Sequence, residues 1–288
     1  MDPVKLLVTG ASGFLGRRTA AYFEKLGYDV LTPSHAQLDI TDGKTLAQWF
    51  RDNRPDAVIH TAAVSDTGLC QQKPEWSERI NVTGCVNLAK SCETFDSKLV
   101  LCSSDQVYAG SSLPGPHKET EELTPSNVYG CQKLRSEQLC LDIAPQTVCL
   151  RLSWMYDTEN IPGQHGHFLT TLREALADTQ KILTWPIHDR RGITHVGCVV
   201  ENLPKVLNLP GGVYNFGSEN RKNTYETVKA VLENLGMSAA LARLKPNTQA
   251  FRDNPRDITM DTAKCGAAGI LFPSTYEGLL QALKEECV

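Results

Sequence analysis

The chain lacks any apolar run near the ~18–20 residues that a membrane-crossing helix needs, and its first residues show no charged and then apolar secretory segment. These absences speak against a membrane role and lead to the expectation of a cytoplasmic protein. An excess of basic residues is also missing. The formal net charge is -4, which gives no field of the kind that nucleic-acid binding draws on, so no nucleic-acid partner is expected. Ten cysteines are present, but they include no CxxC pair and no histidine cluster at zinc-finger spacing. We therefore expect reduced thiols and no metal, with Cys102 and Cys149 serving as small hydrophobes inside apolar runs. No internal repeat or low-complexity segment stands out. With 41% hydrophobic and 22% charged residues over 288 positions, the chain has room for one large α/β domain with a smaller appendage.

What is present begins with Val8–Gly16, where the apolar run Lys5–Val8 passes through Gly10, Ser12, Gly13, Phe14, Leu15 and Gly16 into a helical stretch starting at Arg17. A strand that turns this tightly into a helix aims its first backbone N–H groups, and the positive end of the helix dipole, at one point. Glycines let an anion approach that backbone, and a dinucleotide pyrophosphate is the natural ligand.

Further short apolar runs follow at Asp29–Thr32, Ala57–His60, Lys98–Cys102 and Thr147–Arg151, separated by helical patterns over 44–51, around 76–92 and over 128–141. Strands that are apolar throughout are buried on both faces, and their alternation with helices calls for a parallel sheet with right-handed crossovers. The fold expected is α/β, a Rossmann-type doubly wound parallel sheet with a small C-terminal substrate-binding portion. The domains are expected as a dinucleotide-binding core over 1–155 and a mixed segment over 156–288 that completes the sheet and forms the substrate-binding portion. In that second segment, Asp157–Gly166 reads as a polar excursion, Gly212–Phe216 as a strand, and 167–177, 225–235 and 276–285 as helices.

The chemistry is suggested by Tyr129 and Lys133, whose spacing of four places a phenol and an ammonium one turn apart on a helix face. A close ammonium favours the phenolate and is expected to lower the tyrosine pKa; the lysine can also reach a cofactor ribose. Ser103 and Ser104 end the fourth apolar run, where a hydroxyl faces the crevice beyond the strands.

Taken together, the turn (Thr9, Gly10, Gly13, Gly16), the pair Tyr129/Lys133 and the strand-end Ser104 resemble the extended short-chain dehydrogenase/reductase family over nearly the whole chain. The segments 37–42, 122–130 and 151–156 look most like its dTDP-4-dehydrorhamnose reductase branch, and 254–261 looks like that branch's C-terminal segment, imperfectly. The resemblance implies an NAD(P)-dependent oxidoreductase. Ser104 would hydrogen-bond a substrate carbonyl, Tyr129 would give it a proton, and Lys133 would hold the ribose and tune Tyr129. Asp39, with Ile40 beside it, matches the family's residue near the adenine; Thr61, Ala62 and Ala63 match a segment lining the cofactor. Asn81 matches an asparagine packed beside the site. For Asp39 and Asn81, capping or turn formation is the competing role.

An acid at the end of the second strand would bond a ribose 2′-hydroxyl and repel a 2′-phosphate, and Thr32–His35 contains none. Arg17 and Arg18 could meet the extra phosphate, so NADP(H) is favoured over NAD(H). Related dehydratases carry Asp-Glu where this chain has Asp105 and Gln106, and an amide cannot serve as their base. Simple reduction therefore gains over water elimination. The substrate expected is a nucleotide-activated 4-keto sugar, with Asp105, Gln106, Trp154 and Arg256 as its candidate contacts; Trp154 and Trp185 read first as core and second as pocket lining. An NAD-dependent nucleotide-sugar epimerase and a catalytically idle cofactor-binding regulatory subunit, like that of methionine adenosyltransferase, are the alternatives. Family members are often dimers, which implies a homodimer by analogy.

Overall fold

The computed structural model describes residues 3–159 and 167–284. The latter part of the expected Asp157–Gly166 excursion, the last residue of the expected C-terminal helix, Glu285, and Cys287 lie outside the described residues.

The first half of the chain runs β1 (Lys5–Thr9), α1 (Phe14–Lys25), β2 (Asp29–Leu31), α2 (Gly43–Asn53), β3 (Ala57–His60), α3 (Thr67–Gln72) and α4 (Pro74–Glu78). A wide π-helical turn (Arg79–Gly84) leads into α5 (Cys85–Phe95), then β4 (Lys98–Ser104), a 3₁₀ turn (Asp105–Tyr108), α6 (Val128–Ile143) and β5 (Val148–Leu152). The second half contains β6 (Trp154–Tyr156), α7 (Phe168–Ala177), β7 (Leu183–Pro186), β8 (Asp189–Arg190), β9 (Ile193–His195), α8 (Val196–Val206) and β10 (Gly212–Phe216). It closes with α9 (Thr224–Asn234), α10 (Ser238–Arg243), β11 (Leu244–Asn247), β12 (Arg256–Asp257), α11 (Ala263–Ala267) and α12 (Thr275–Lys284).

Six of these strands form one parallel sheet in the order β10-β5-β4-β3-β1-β2. Successive crossovers go one way from β1 to β2 and the other way from β1 to β3, so chain order reverses between β1 and β3. That reversal opens a crevice beyond the carboxyl ends of those two strands, where ligands of such sheets bind. The register places Leu7 opposite Val58, Val58 opposite Leu99 and Thr9 opposite His60. Leu6, Leu7, Val8, Val58, Ile59, Val100 and Leu101 are fully buried, as strands covered on both faces require. Helices supply the covering: Leu46 and Phe50 of α2, Cys85, Leu88 and Cys92 of α5 and Cys140 of α6 pack with Leu7, Val58 and Leu99 into one core. Asp42 starts α2 by accepting from the Lys44 and Thr45 N–H groups, and Asn127 starts α6 by accepting from Gly130 N at 2.8 Å.

The chain separates into two compact units. The first comprises the residues up to Val107, Glu122–Arg151 and Val200–Tyr214 and carries the large sheet; the second comprises Tyr108–Glu121, Leu152–Val199 and the residues from Asn215. One exchange, at Arg151–Leu152, lies near the boundary expected at 155. The return of 200–214 follows from sheet pairing: β10 must reach the free edge of β5, so the later half of the chain completes the sheet. The helix expected around 76–92 is interrupted by the π turn, whose inward side carries Asn81, fully buried.

The second unit has its own apolar core, in which Tyr156, Phe168, Leu172, Leu183, Trp185, Ile193, Val228, Val231 and Leu279 are buried together. Three two-stranded parallel pairs lie in it, β6 with β9, β7 with β11 and β8 with β12. A polar knot ties its segments. The Asn215 side chain accepts from the Tyr108 hydroxyl at 2.7 Å and donates to His117 O at 2.9 Å and Asp261 O at 3.0 Å. Asn215 is fully buried, so Asn215→Ala removes three hydrogen bonds of this knot at once, although His117 O keeps its bond from Asp261 N at 2.9 Å. The substitution is expected to lower stability by about 2–4 kcal/mol, read from the urea midpoint.

Candidate active site

The glycine turn is shaped by backbone contacts. Gly10 has φ 70°, and a Cβ there would stand 2.7 Å from Ala62 N; a Cβ on Gly16 would stand 2.2 Å from Gly10 O and 2.6 Å from Thr61 Oγ1. Both positions exclude a side chain because α1 is drawn against the ends of β1 and β3. Thr61 Oγ1 donates to Thr9 O at 2.7 Å and fixes that approach. Gly13 differs: a Cβ there would meet only Gly10 O, at 3.2 Å. It is also the N-cap of α1 with no side-chain cap, so the first-turn N–H groups are not occupied by a side chain. Arg17, one residue past Gly16, buries one terminal guanidinium nitrogen without a hydrogen-bond partner among the described residues. An uncapped helix N-terminus, a cradle that a Cβ would fill and an unsatisfied cation together fit an anionic cofactor.

Behind this turn, His60 at the end of β3 is buried and contacts Thr9 Oγ1 at 2.6 Å and Cys85 Sγ at 3.3 Å. Cys85 Sγ lies 3.0 Å from Asn81 O. One tautomer satisfies all three groups: Thr9 donates to Nδ1, Nε2–H to the sulfur, and the thiol to the carbonyl. Burial, reinforced by the Lys133 ammonium, holds the His60 pKa down to about 3.

The hydroxyl, phenol and ammonium anticipated from the sequence meet at the end of β4. The Ser104 hydroxyl is near enough to the Tyr129 phenol to pull its pKa down, and Lys133 Nζ lies 5.7 Å from the centre of the Tyr129 ring. Tyr129 and Lys133 are 7% and 2% exposed, a degree of burial that removes both from solvent screening. Lys133 Nζ donates to Cys102 O at 2.9 Å, tying α6 to β4. Gly130 lets the start of α6 close in, since a Cβ there would be 2.4 Å from Gln106 O. The expected lowering of the Tyr129 pKa needs correction. Burial is the largest influence and raises it above the ordinary phenol value; Lys133 and Ser104 oppose burial, and Asp105 adds to it. Tyr129 is therefore a protonated phenol at neutral pH. The Lys133 pKa also ends above its ordinary value. Burial pulls it down, and Tyr129, Cys85, Cys102 and Glu137 more than offset that.

The remaining candidates divide by what already occupies them. Asn81 is engaged by the backbone: Oδ1 accepts from Val64 N at 2.8 Å, and Nδ2 donates to Val64 O at 3.0 Å and Gln132 Oε1 at 2.9 Å. It fixes the segment that follows Ala63. Asp39 folds back on Thr41, accepting from its N–H and hydroxyl at 2.8 Å each, which is a turn role. Ile40 is buried, and its carbonyl accepts from Asn87 Nδ2 at 3.0 Å. Asp105 and Gln106 are buried beside Ser104, which donates to Asp105 Oδ1 at 3.2 Å and accepts from Gln106 N at 3.2 Å. Trp154 and Arg256 lie in the second unit. Trp154 packs edge-on against Phe168 with Arg191 over its ring; Arg256 donates to Asp189 Oδ1 at 2.7 Å and stacks on Phe251. A separate cavity of about 510 Å³ between Pro74–Glu78 and Pro125–Arg135 contains none of Ser104, Tyr129 or Lys133.

Sequence reasoning missed Glu137 and Arg151, a buried carboxylate and guanidinium bonded at 2.7 to 3.2 Å. Both had a signal. Glu137 is one turn beyond Lys133, and Arg151 is a lone charge in an apolar strand, which demands a buried partner.

A six-stranded doubly wound sheet with a glycine turn at its switch point and a Ser–Tyr–Lys cluster at the end of its fourth strand defines a Rossmann-type fold of the extended short-chain dehydrogenase/reductase kind. More narrowly, the chain belongs to the RmlD substrate binding domain family, whose model matches residues 4–287. It is similar to dTDP-4-dehydrorhamnose reductase of Aggregatibacter actinomycetemcomitans, 27% identical with 97% of this chain and 98% of that protein covered. It is also similar to methionine adenosyltransferase 2 subunit beta of Xenopus tropicalis, 25% identical with 92% and 83% covered. In fold it resembles the crystal structure of dTDP-4-dehydrorhamnose reductase from Bacillus anthracis in complex with NADP, with a TM-score of 0.84, 22% identity and 98% of each chain covered.

The unfolded chain protonates a histidine near pH 6.5, whereas folded His60 resists until about 3. The unfolded state thus binds more protons throughout that interval, and His60 makes stability fall as pH drops from 6.5 towards 3, by up to about 1.4 kcal/mol per pH unit. In urea unfolding series between pH 7 and 4.5, His60→Gln is expected to show a shallower decline than the unsubstituted protein. Parallel declines would show that His60 is not held neutral.

Proposed function

We propose that the chain is a reductase that uses a nicotinamide dinucleotide, NADP(H) in preference to NAD(H), to reduce a keto group of a nucleotide-activated sugar of the 4-dehydrorhamnose type. The observation that carries this reading is the buried cluster of Ser104, Tyr129 and Lys133 at the carboxyl end of β4. The names of the relatives support the substrate class. The NADP in the Bacillus anthracis structure supports the cofactor.

The residues that would hold the cofactor are Gly10 to Gly16 at its pyrophosphate, including Ser12, Phe14 and Leu15, with Arg17 at a 2′-phosphate. Asp39 and Ile40 would lie at the adenine, Thr61, Ala62 and Ala63 along its length, and Lys133 at a ribose. An ammonium has three N–H donors, and among the described residues one is engaged by Cys102 O, which leaves donors for that ribose. When bound, the cofactor supplies a hydride. The chain's own part is acid catalysis. The Ser104 hydroxyl orients the substrate carbonyl and the neutral Tyr129 phenol gives its proton to the carbonyl oxygen. Lys133 opposes the negative charge left on the phenolate. Burial keeps water from competing for that proton. Asp105 and Gln106 beside Ser104 are the proposed substrate contacts. On the family resemblance, a homodimer in the cytoplasm is proposed; no helix of the described residues is long and apolar enough to cross a membrane.

A second reading, a cofactor-binding regulatory subunit without turnover, is favoured by the similarity to methionine adenosyltransferase 2 subunit beta. One panel separates the two: NADPH and NADH oxidation against 4-keto nucleotide sugars and simple ketones, with Tyr129→Phe alongside. Reductase action predicts turnover that Tyr129→Phe lowers by about 10²- to 10⁴-fold. No turnover with any carbonyl, in a protein that still binds the dinucleotide, supports the regulatory reading. Gly13→Ala, whose Cβ would press on Gly10 O at 3.2 Å, is expected to remain folded, as checked by far-UV circular dichroism, and to weaken NADPH binding at least about tenfold in a fluorescence titration. Unchanged binding would remove Gly13 from the pyrophosphate site, and tighter NADH than NADPH would reverse the cofactor preference.

A further inference from the structure

The mechanism above leaves unused the charged pair lying directly behind the catalytic helix face. Tyr129, Lys133 and Glu137 follow one another at intervals of four along α6, so they share one face, a turn apart. Glu137 is 1% exposed, and its carboxylate binds in two directions. Toward β4 it accepts from the hydroxyl of Ser103, the residue before Ser104. Toward β5 it is forked by Arg151: Nη2 donates to Oε2 at 2.7 Å, and Nε to Oε1 and Oε2 at 3.1 and 3.2 Å.

We propose that Glu137 is a positioning residue for the reaction. Held by Ser103 and Arg151, its carboxylate locks the α6 face bearing Tyr129 and Lys133 to the strand end bearing Ser104 and cancels the Arg151 charge behind the Lys133 ammonium. The inference rests on the reductase reading for its kinetic consequence and on geometry alone for its electrostatic one.

The physical case starts from the three catalytic groups residing on two elements. Ser104 belongs to β4, whereas Tyr129 and Lys133 belong to α6, and the proton path requires the hydroxyl and the phenol to stay within hydrogen-bond reach. The Lys133 bond to Cys102 O is one tie between those elements. The Ser103–Glu137 bond is a second, one turn further along the helix, and two ties fix an orientation that one leaves free to rotate. Tyr129, Glu137 and Cys140 lie near Lys133 from its own helix, Cys70 from α3, Cys85 from α5, Cys102 from β4 and His60 from β3. The thiols are protonated and His60 is neutral, so the carboxylate of that set is Glu137, and Arg151 is its counter-charge.

Removing the carboxylate therefore lowers the Lys133 titration and removing the guanidinium does not, a distinction that a merely structural role does not make. In Glu137→Gln the Arg151 cation is left uncompensated, and Lys133 loses its proton more readily. In Arg151→Met the carboxylate is unopposed, and Lys133 holds its proton at least as firmly as before. The test is NMR titration of ¹³C-labelled lysine in the full chain, with the Lys133 signal assigned by its loss in Lys133→Arg. We expect Lys133 to titrate about one pH unit lower in Glu137→Gln and no lower in Arg151→Met. An unchanged Lys133 titration in folded Glu137→Gln, or a shift of the same sign in both variants, would overturn the electrostatic half. If neither variant folds, Ser103→Ala keeps the ion pair and cuts only the link to β4. It is expected to lower kcat about tenfold with the cofactor KM unchanged. Unchanged kcat would overturn the positioning half. Absence of turnover with every carbonyl in the unsubstituted chain counts against the reductase reading instead, and the titration still decides whether Glu137 sets the charge at Lys133.

Discussion

The ammonium of Lys133 is a full charge placed where almost no water reaches it, and the first unit is arranged around making that tolerable. Burying an isolated cation costs many kcal/mol unless hydrogen bonds and opposite charge compensate. Here the Cys102 carbonyl takes one N–H, the Tyr129 ring lies alongside, and the surrounding titratable groups are kept from adding positive charge. His60 is central to that last condition. A protonated imidazole at the same place would set two cations together, and burial, reinforced by Lys133 itself, keeps it neutral while it bonds Thr9 on one side and Cys85 on the other.

The same groups that house the ammonium also build the mouth of the site. Thr9, whose hydroxyl contacts His60, is the last residue of β1 and the first support of the glycine turn; Asn81, whose carbonyl receives the Cys85 thiol, holds the segment after β3. A single hydrogen-bonded line thus runs from the turn to the wide turn before α5, passing beside Lys133. The two ends of the proposed cofactor site are coupled through the core rather than around the surface.

Most of the first unit was legible in the sequence because its signals are local. Runs such as Leu6-Leu7-Val8 and Leu99-Val100-Leu101 are too apolar for any half-exposed strand, and a strand running straight into Gly10, Gly13 and Gly16 has few other uses. Tyr129 and Lys133 were found because helical spacing alone puts them together. What could not be read depends on contacts between distant residues. The direction of the Tyr129 pKa was missed because burial outweighs the neighbouring charge, and burial is a property of the packed site rather than of a spacing of four. Asp39 and Asn81 matched a pattern, but which backbone groups claim their side chains, Thr41 and Val64, is set by tertiary structure. The short strand pairs of the second unit, two to four residues each, carry too few positions for periodicity to register.

The cysteines described at the outset as small hydrophobes have a further meaning once their surroundings are known. Burial pushes the thiols of Cys102 and Cys265 up to about 12, those of Cys92 and Cys140 higher still and that of Cys149 well above its ordinary value, so the reactive thiolate is almost absent from the folded core, while Cys131 stands exposed on α6. The protein consequently carries its own record of opening events. A thiol reagent marks Cys131 at once and reaches Cys92, Cys102, Cys140 and Cys149 only when the sheet and its covering helices part, so the order in which those four are marked gives the order in which the first unit comes undone.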